Sequence, residues 1–177
     1  GSLPWSGSGS NWVTVFGGDG GASAADPADA NYLYGEYVYL RIHRSTNGAT
    51  ANPSASFIYS GIVDAENATL GANFIAPFVL DPNNSSRLYG GAKRLWLSNN
   101  AKAATPTWSI ARAQAAHRDA NVTVSPYFTY ISAIAVAAGN PDIVYVGHND
   151  GRVFKTSNAT AASPTWSQGC SGCSTTH

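Results

Sequence analysis

The sequence is short of charge. Asp, Glu, Lys and Arg make up 11% of its 177 residues, against about 25% in ordinary globular domains. Ten basic and ten acidic residues cancel to a formal net charge of zero. A chain without a basic excess offers no electrostatic footprint for nucleic acid or an anionic membrane surface. No segment approaches the roughly eighteen continuous apolar residues of a membrane span. Helical periodicity is nearly absent, and the one helix-like stretch, Ile110 to Asp119, is short and Ala-rich. Cysteine is limited to Cys170 and Cys173. What is plentiful is apolar and small. Hydrophobic residues are 44% of the chain, enough for a real core and too many for a disordered segment. Gly, Ser, Thr, Asn and Ala fill the polar surface, a composition common in secreted proteins.

Short β-branched and aromatic runs are punctuated by Gly, Pro, Asn and Asp, the pattern of a many-stranded all-β domain. Tyr37 to Ile42, Phe74 to Leu80, Tyr130 to Val136 and Ile143 to Val146 read as strands. Repeats then decide the architecture. The segment from Asp26-Pro27 to Tyr34-Gly35 recurs from Asp81-Pro82 to Tyr89-Gly90. It recurs again, one residue shorter, from Gly139-Asn140-Pro141 to Val146-Gly147. Tyr34, Tyr89 and Tyr145 are 55 and 56 residues apart. A second element follows each copy: Arg44-Ser45-Thr46-Asn47-Gly48, Leu97-Ser98-Asn99-Asn100 and Lys155-Thr156-Ser157-Asn158. Two copies end alike, at Pro106-Thr107-Trp108-Ser109 and Pro164-Thr165-Trp166-Ser167.

Each repeat holds about four strands, here termed A to D. In the second they are Phe74–Leu80, Arg87–Gly90, Arg94–Ser98 and Thr107–Ala111. Such a unit cannot bury both faces alone and must stack on neighbours. Four-stranded sheets repeated about an axis make a β-propeller; a β-solenoid is the alternative, with usually shorter repeats. The repeats span about 16–60, 74–111 and 130–168, with strand 12–15 assigned to a preceding blade. The whole chain, 1–177, reads as a single segment of about three four-stranded antiparallel blades. Closed propellers typically have four to eight. Apolar strand residues near the two ends (Val13, Val15, Val144, Val146, Phe154) predict association with further blades of the same protein or with a second copy.

These motifs resemble the BNR/Asp-box, YVTN and sortilin-type propeller repeats over roughly residues 12 to 167. The resemblance implies a secreted or cell-surface module. The family's box is Ser/Thr-x-Asp-x-Gly-x-x-Trp, and here Asn47, Asn100 and Asn158 stand in the Asp position. Ser45, Ser98 and Thr156 precede them, and Trp108 and Trp166 follow after extra residues. These residues are read as structural turns in which a short polar side chain bonds its own backbone. Both tryptophans are expected to pack on the hairpin of their own blade.

The family's topology implies that D–A and B–C loops share one face. That face then carries Asp19, Asp64, Glu66, His117, Arg118 and Asp119 from D–A loops. From B–C loops it carries Glu36, Tyr37, Lys93, His148, Asn149 and Asp150. Asp19, Glu36, Tyr37, Lys93, His117, His148 and Asp150 are the candidate ligand-binding residues of a polar mouth for glycan or protein. The bland reading is that loops are polar in any case. Paired carboxylates hydrolyse glycosides, one as acid and one as base or nucleophile. Asp19, Glu36, Asp64 and Asp150 are the candidates for that chemistry, and no motif fixes a role for any. Arg41-Ile42-His43-Arg44 is not the Arg-Ile-Pro signature of sialidases. The function expected is recognition or scaffolding. A fragment of a secreted glycoside hydrolase and a structural repeat of a surface assembly are the alternatives.

Gly17-Gly18-Asp19-Gly20-Gly21 lacks the Lys and Ser/Thr of a phosphate loop and the alternating carboxylates of an EF-hand, so a tight turn is expected. Cys170 and Cys173 are a disulfide candidate; with His177 they offer three zinc ligands and no fourth. No cofactor or metal site is expected. Asn67, Asn83, Asn84, Asn121 and Asn158 begin N-x-Ser/Thr sequons, which matter only where the source glycosylates them.

Overall fold

A computed structural model of the chain describes residues 12, 14–48, 56–66, 71–116 and 129–169. Among the described residues, twelve strands form three four-stranded antiparallel sheets. The first holds β1 (Ser23–Ala25), β2 (Leu33–Glu36), β3 (Ile42–Ser45) and β4 (Ser56–Phe57). The second holds β5 (Phe78–Leu80), β6 (Leu88–Gly91), β7 (Leu95–Ser98) and β8 (Ser109–Arg112). The third holds β9 (Ile131–Val136), β10 (Val144–His148), β11 (Val153–Thr156) and β12 (Ser167–Gln168). Strands run in sequence order across every sheet, as in propeller blades. A single helical turn, α1 (Val63–Glu66), precedes the second blade.

The register shows how exact the repeat is. Tyr34 pairs with Arg44, Tyr89 with Leu97 and Tyr145 with Lys155. The A–B turns also repeat. Asp26, Asp81 and Asn140 each precede a proline, and each side-chain oxygen accepts the amide two residues on, from Ala28, Asn83 and Asp142 at 2.8, 2.8 and 3.1 Å. Each turn rests on a short polar side chain that accepts the amide two residues on, and the proline between them suits the position with its fixed φ and no amide proton to satisfy.

The C–D hairpins are built around asparagine. The Asn100 carboxamide oxygen accepts from Ser98 Oγ at 3.1 Å and from Thr107 N and Oγ1 at 2.8 and 3.1 Å. Asn158 does the same with Thr156 Oγ1, Thr165 N and Thr165 Oγ1 at 2.8, 2.9 and 3.2 Å. Ser45 Oγ donates to Asn47 Oδ1 at 2.9 Å.

The core lies between blades. One cluster joins Tyr34, Leu40 and Ile42 of the first blade to Phe78, Leu88 and Trp96 of the second. The next joins Tyr89, Leu95 and Leu97 to Ile131, Val144 and Val146 of the third. A smaller group, Val15 and Phe16 against Leu33, covers the front of the first blade.

Five expectations change. Val15, Val144 and Val146, expected near open ends, are buried, because Val144 and Val146 face the second blade and Val15 packs with Phe16 on Leu33, while Val13 lies outside the described residues. Tyr37 to Ile42 is not a strand: β2 ends at Glu36, and the chain reverses through Tyr39 and Leu40 at φ 55° and 62°. The reversal is closed by Arg41 N donating to Val38 O at 3.1 Å. Its apolar residues mislead because Leu40 is buried between blades rather than along a strand. Phe74 to Ile75 lies outside β5, and the residues that form strand are Phe78–Leu80. The start of the helix-like stretch, Ile110 to Arg112, is β strand. The indoles of Trp108 and Trp166 take equivalent places but reach across to the preceding blade. Trp108 Nε1 donates to Ile58 O at 2.7 Å and Trp166 Nε1 to Ala111 O at 3.0 Å. Their own hairpins hold the threonine just before each, which leaves the ring free to bridge.

Candidate functional site

Contacts between loops place the D–A and B–C segments together. Tyr39 N, in the first B–C turn, donates to Phe74 O of the second blade's D–A loop at 3.0 Å, and their rings meet edge to face at 5.3 Å. Asn73 and Asn149 exchange side-chain hydrogen bonds of 3.2 and 2.8 Å between the second and third blades.

Most candidate side chains on this face hold the protein together. Glu36 is fully buried at the end of β2. Its Oε1 accepts Leu40 N at 3.0 Å and Ala76 N at 2.8 Å, tying the first blade to the second. Burial raises its pKa against the lowering effect of those amide bonds. Gly21 packs on its carboxylate so closely that a Cβ would fall 1.9 Å from Oε2. Gly18, at φ 85°, lies on the ring of Tyr37, where a Cβ would come within 2.1 Å of the ring edge. Glycine is therefore required at both points of the Gly17–Gly21 loop by close approach.

Asp64 sits buried in α1. Its Oδ2 accepts Trp96 Nε1 at 2.9 Å and its Oδ1 pairs with Arg94 at 3.1 Å. Asp150 pairs with Arg152 at 2.6 Å, and Arg152 also donates to Ala116 O at 2.7 Å. Burial acts to raise the Asp150 pKa, but the Arg152 hydrogen bonds and charge hold it below the usual value. His148 ends β10, buried, with Nδ1 2.6 Å from Thr129 O and Nε2 3.1 Å from Arg112 Nη1. A ring that donates through Nδ1 and accepts through Nε2 is neutral, consistent with a pKa lowered chiefly by burial.

Sequence reasoning missed Arg112 and Arg152. Arg112 lies 3.7 Å over the Phe154 ring and within 5.9 Å of the Trp166 centroid, a cation–π contact across the second junction. Burial and the neighbouring Arg152 lower its pKa to about 10. Nothing in the local sequence marks Arg112, because Phe154, Trp166 and His148 are distant along the chain, whereas the partner of Arg152, Asp150, lies two residues away. Tyr39 was likewise hidden inside a run that reads as strand.

Among the described residues, those left open on this face include aromatic and aliphatic side chains beside the polar Asp19, Glu66 and Asn149. Phe74 and Ile75 are 49% and 50% exposed, beside half-buried Tyr37 and Tyr39. Asp19 is exposed, one residue beyond the glycine that covers Tyr37. Lys93, whose amide bonds Gly71 O at 2.9 Å, joins the same D–A loop. His117, Cys170, Cys173 and His177 lie outside the described residues, as do Asn67 and Asn121. Among the described residues, no group of three or more His, Cys, Asp or Glu is placed to hold a metal ion. A cleft of about 180 Å³ lies instead at the hairpin edge between the second and third blades, lined by Arg87, Leu97, Asn99, Ile110, Ala161 and Pro164.

No family model matches the chain, and no curated protein matches it. Solved structures do. An ancestral GH74 enzyme superposes with a TM-score of 0.55 and 16% identity over 88% of this chain. The GH74 enzyme of Niastella koreensis superposes with a TM-score of 0.56 and 21% identity over 95%. The chain spans 19% and 26% of those two structures. The fold is therefore all-β, three four-stranded antiparallel blades that match part of the GH74 β-propeller.

Proposed function

We propose that the chain is an extracellular β-propeller recognition module that takes neutral carbohydrate on its loop-rich face. The supporting observation is the exposed patch of Phe74 and Ile75 beside Tyr39, with Tyr37 and Asp19 on the same face. Aromatic faces stack on the C–H faces of sugar rings, and a few polar groups at the edge orient the hydroxyls. The zero net charge and the internal pairing of Asp64 and Asp150 favour a neutral ligand over a charged one. The Tyr39–Leu40 reversal supports this further. Two non-glycine residues at positive φ cost of order 1–3 kcal/mol each and persist where surrounding structure over-determines them, often at binding sites.

Titration calorimetry with a panel of neutral oligosaccharides tests the reading. Binding in the micromolar to millimolar range is expected, weakened about tenfold by Phe74→Ala, or about 1.4 kcal/mol. No binding by any member at millimolar concentration overturns it.

The second reading, part of a glycoside hydrolase, is favoured by the fold likeness to GH74 enzymes. Asp19 is the carboxylate best placed for it, since Glu36, Asp64 and Asp150 are engaged internally. Release of reducing ends from a polysaccharide, lost in Asp19→Asn, would establish that reading.

A further inference from the structure

Three rows of residues on the rear of each sheet repeat in register. One is the B-strand tyrosine: Tyr34, Tyr89, Tyr145. The residue opposite it on strand C is Arg44, Leu97 or Lys155. The third row, two residues earlier on strand C, is Ile42, Leu95 or Val153. In the first two blades these rows are covered by the blade that follows. Tyr34 and Tyr89 are each 1% exposed, and Ile42 and Leu95 are 0% exposed. In the third blade the same positions open, with Tyr145 at 39% and Val153 at 41%.

The middle row carries the chemistry. Arg44 reaches into the second blade and donates to Ala101 O and Ala103 O, both at 2.6 Å, in its C–D hairpin. Lys155 occupies the equivalent position with the same charge. Its ammonium lies 5.6 Å from the Tyr145 ring centroid and makes no hydrogen bond or ion pair with the described residues. Ala133, Ala135 and Gly147 make the rest of this face small, leaving room for the side chains of an apposed sheet.

We propose that this face seats a further four-stranded blade of the same polypeptide, with Lys155 donating to backbone carbonyls of that blade's C–D hairpin. An internal blade is favoured over a second copy, because the front of the first blade is already covered by Val15 and Phe16. A second copy docking there would have to displace them. The likeness to structures four to five times longer than this chain fits the same arrangement.

The gene gives the first test. A further repeat of about 55 residues after residue 177 is expected, carrying a Ser/Thr-x-Asn or Ser/Thr-x-Asp hairpin. Its absence overturns the proposal. The second test is amine labelling of Lys155 by an N-hydroxysuccinimide ester, read by mass spectrometry. In the 177-residue chain the rate should be that of an exposed lysine at every protein concentration. In the full-length polypeptide it should fall at least about tenfold. Equal rates in the two would overturn the proposal. So would protection that appears in the 177-residue chain as concentration rises with a doubling of mass in light scattering, which would assign the face to a second copy. Lys155→Leu should keep the full-length protein folded, as Leu97 does at the second junction, whereas Lys155→Glu should lower its melting temperature by several degrees.

Discussion

The two blade junctions solve one geometric problem with different chemistry. At the first, charge crosses the gap. Glu36 receives amides from both blades, Arg44 bonds two hairpin carbonyls, Lys102 pairs with Asp26, and Asp64 clamps Trp96 and Arg94 from the connecting loop. At the second, Leu95 and Leu97 meet Val144 and Val146, and the polar ties are the Asn73–Asn149 amide pair, the Trp166 indole on Ala111 O, and the guanidinium groups of Arg112 on His148 and Phe154 and of Arg152 on Ala116 O. A buried charge costs several kcal/mol unless fully paired, so the first junction is the more sensitive to loss of one partner. The second should depend mainly on apolar volume. In a chain with so little charge, the loop-face ions are mostly structural.

That contrast orders the expected effects. Leu95→Ala, which empties a fully buried position at the apolar junction, should cost about 3–4 kcal/mol, read as a lower midpoint in urea. Trp108→Ala removes a half-buried ring and its bond to Ile58 and should cost about 3 kcal/mol; Trp108→Phe, keeping the ring, should recover most of it. A Trp108→Ala protein as stable as the native one would show that the indole does not join the blades. Arg44→Leu should be tolerated within about 1 kcal/mol, because Leu97 fills the same position in the second blade, whereas Arg44→Ala should cost about 2 kcal/mol. Equal losses for both variants would blur the comparison.

Glu36 gives the smallest and most specific effect. Its folded pKa is raised, so its contribution is complete below the ordinary carboxylate range near 4.5 and is lost as pH rises through the folded value. Asp150, held low by Arg152, works oppositely: its contribution is present above 3.8 and is lost on acidification. Melting temperatures of native and Glu36→Gln protein between pH 4 and pH 8 should therefore diverge, the native protein losing ground to the variant as pH rises. Parallel curves would mean that Glu36 titrates as it does in the unfolded chain.

The strand repeat was legible because it rests on local chemistry. An Asp or Asn before proline, a Ser or Thr two residues before Asn, and an alternating run between them each act within a few residues. The Tyr37–Ile42 reversal was not legible, because Leu40 is placed by a gap between sheets rather than by its neighbours in sequence. The candidate face was half legible. Glu36, Asp64, His148 and Asp150 do belong to loops or strand ends, but the partners of the first three, Ala76, Trp96 and Arg112, come from other strands or a neighbouring blade, whereas Asp150 finds Arg152 two residues on. Sequence marked the charges and could not show that they were already paired. The open residues, Phe74 and Ile75, read as the start of a strand, Phe74–Leu80.

The most direct test is thermal unfolding of Asp64→Asn. The substitution keeps size and most hydrogen-bonding capacity but removes the charge that faces Arg94 and Trp96 Nε1. A loss of about 2–3 kcal/mol is expected, which for a chain of this size lowers the melting temperature by about 4–12 °C, with oligosaccharide binding at low temperature unchanged. An unchanged melting temperature together with lost binding or lost hydrolysis would contradict the account and make Asp64 a functional carboxylate rather than a tie between segments.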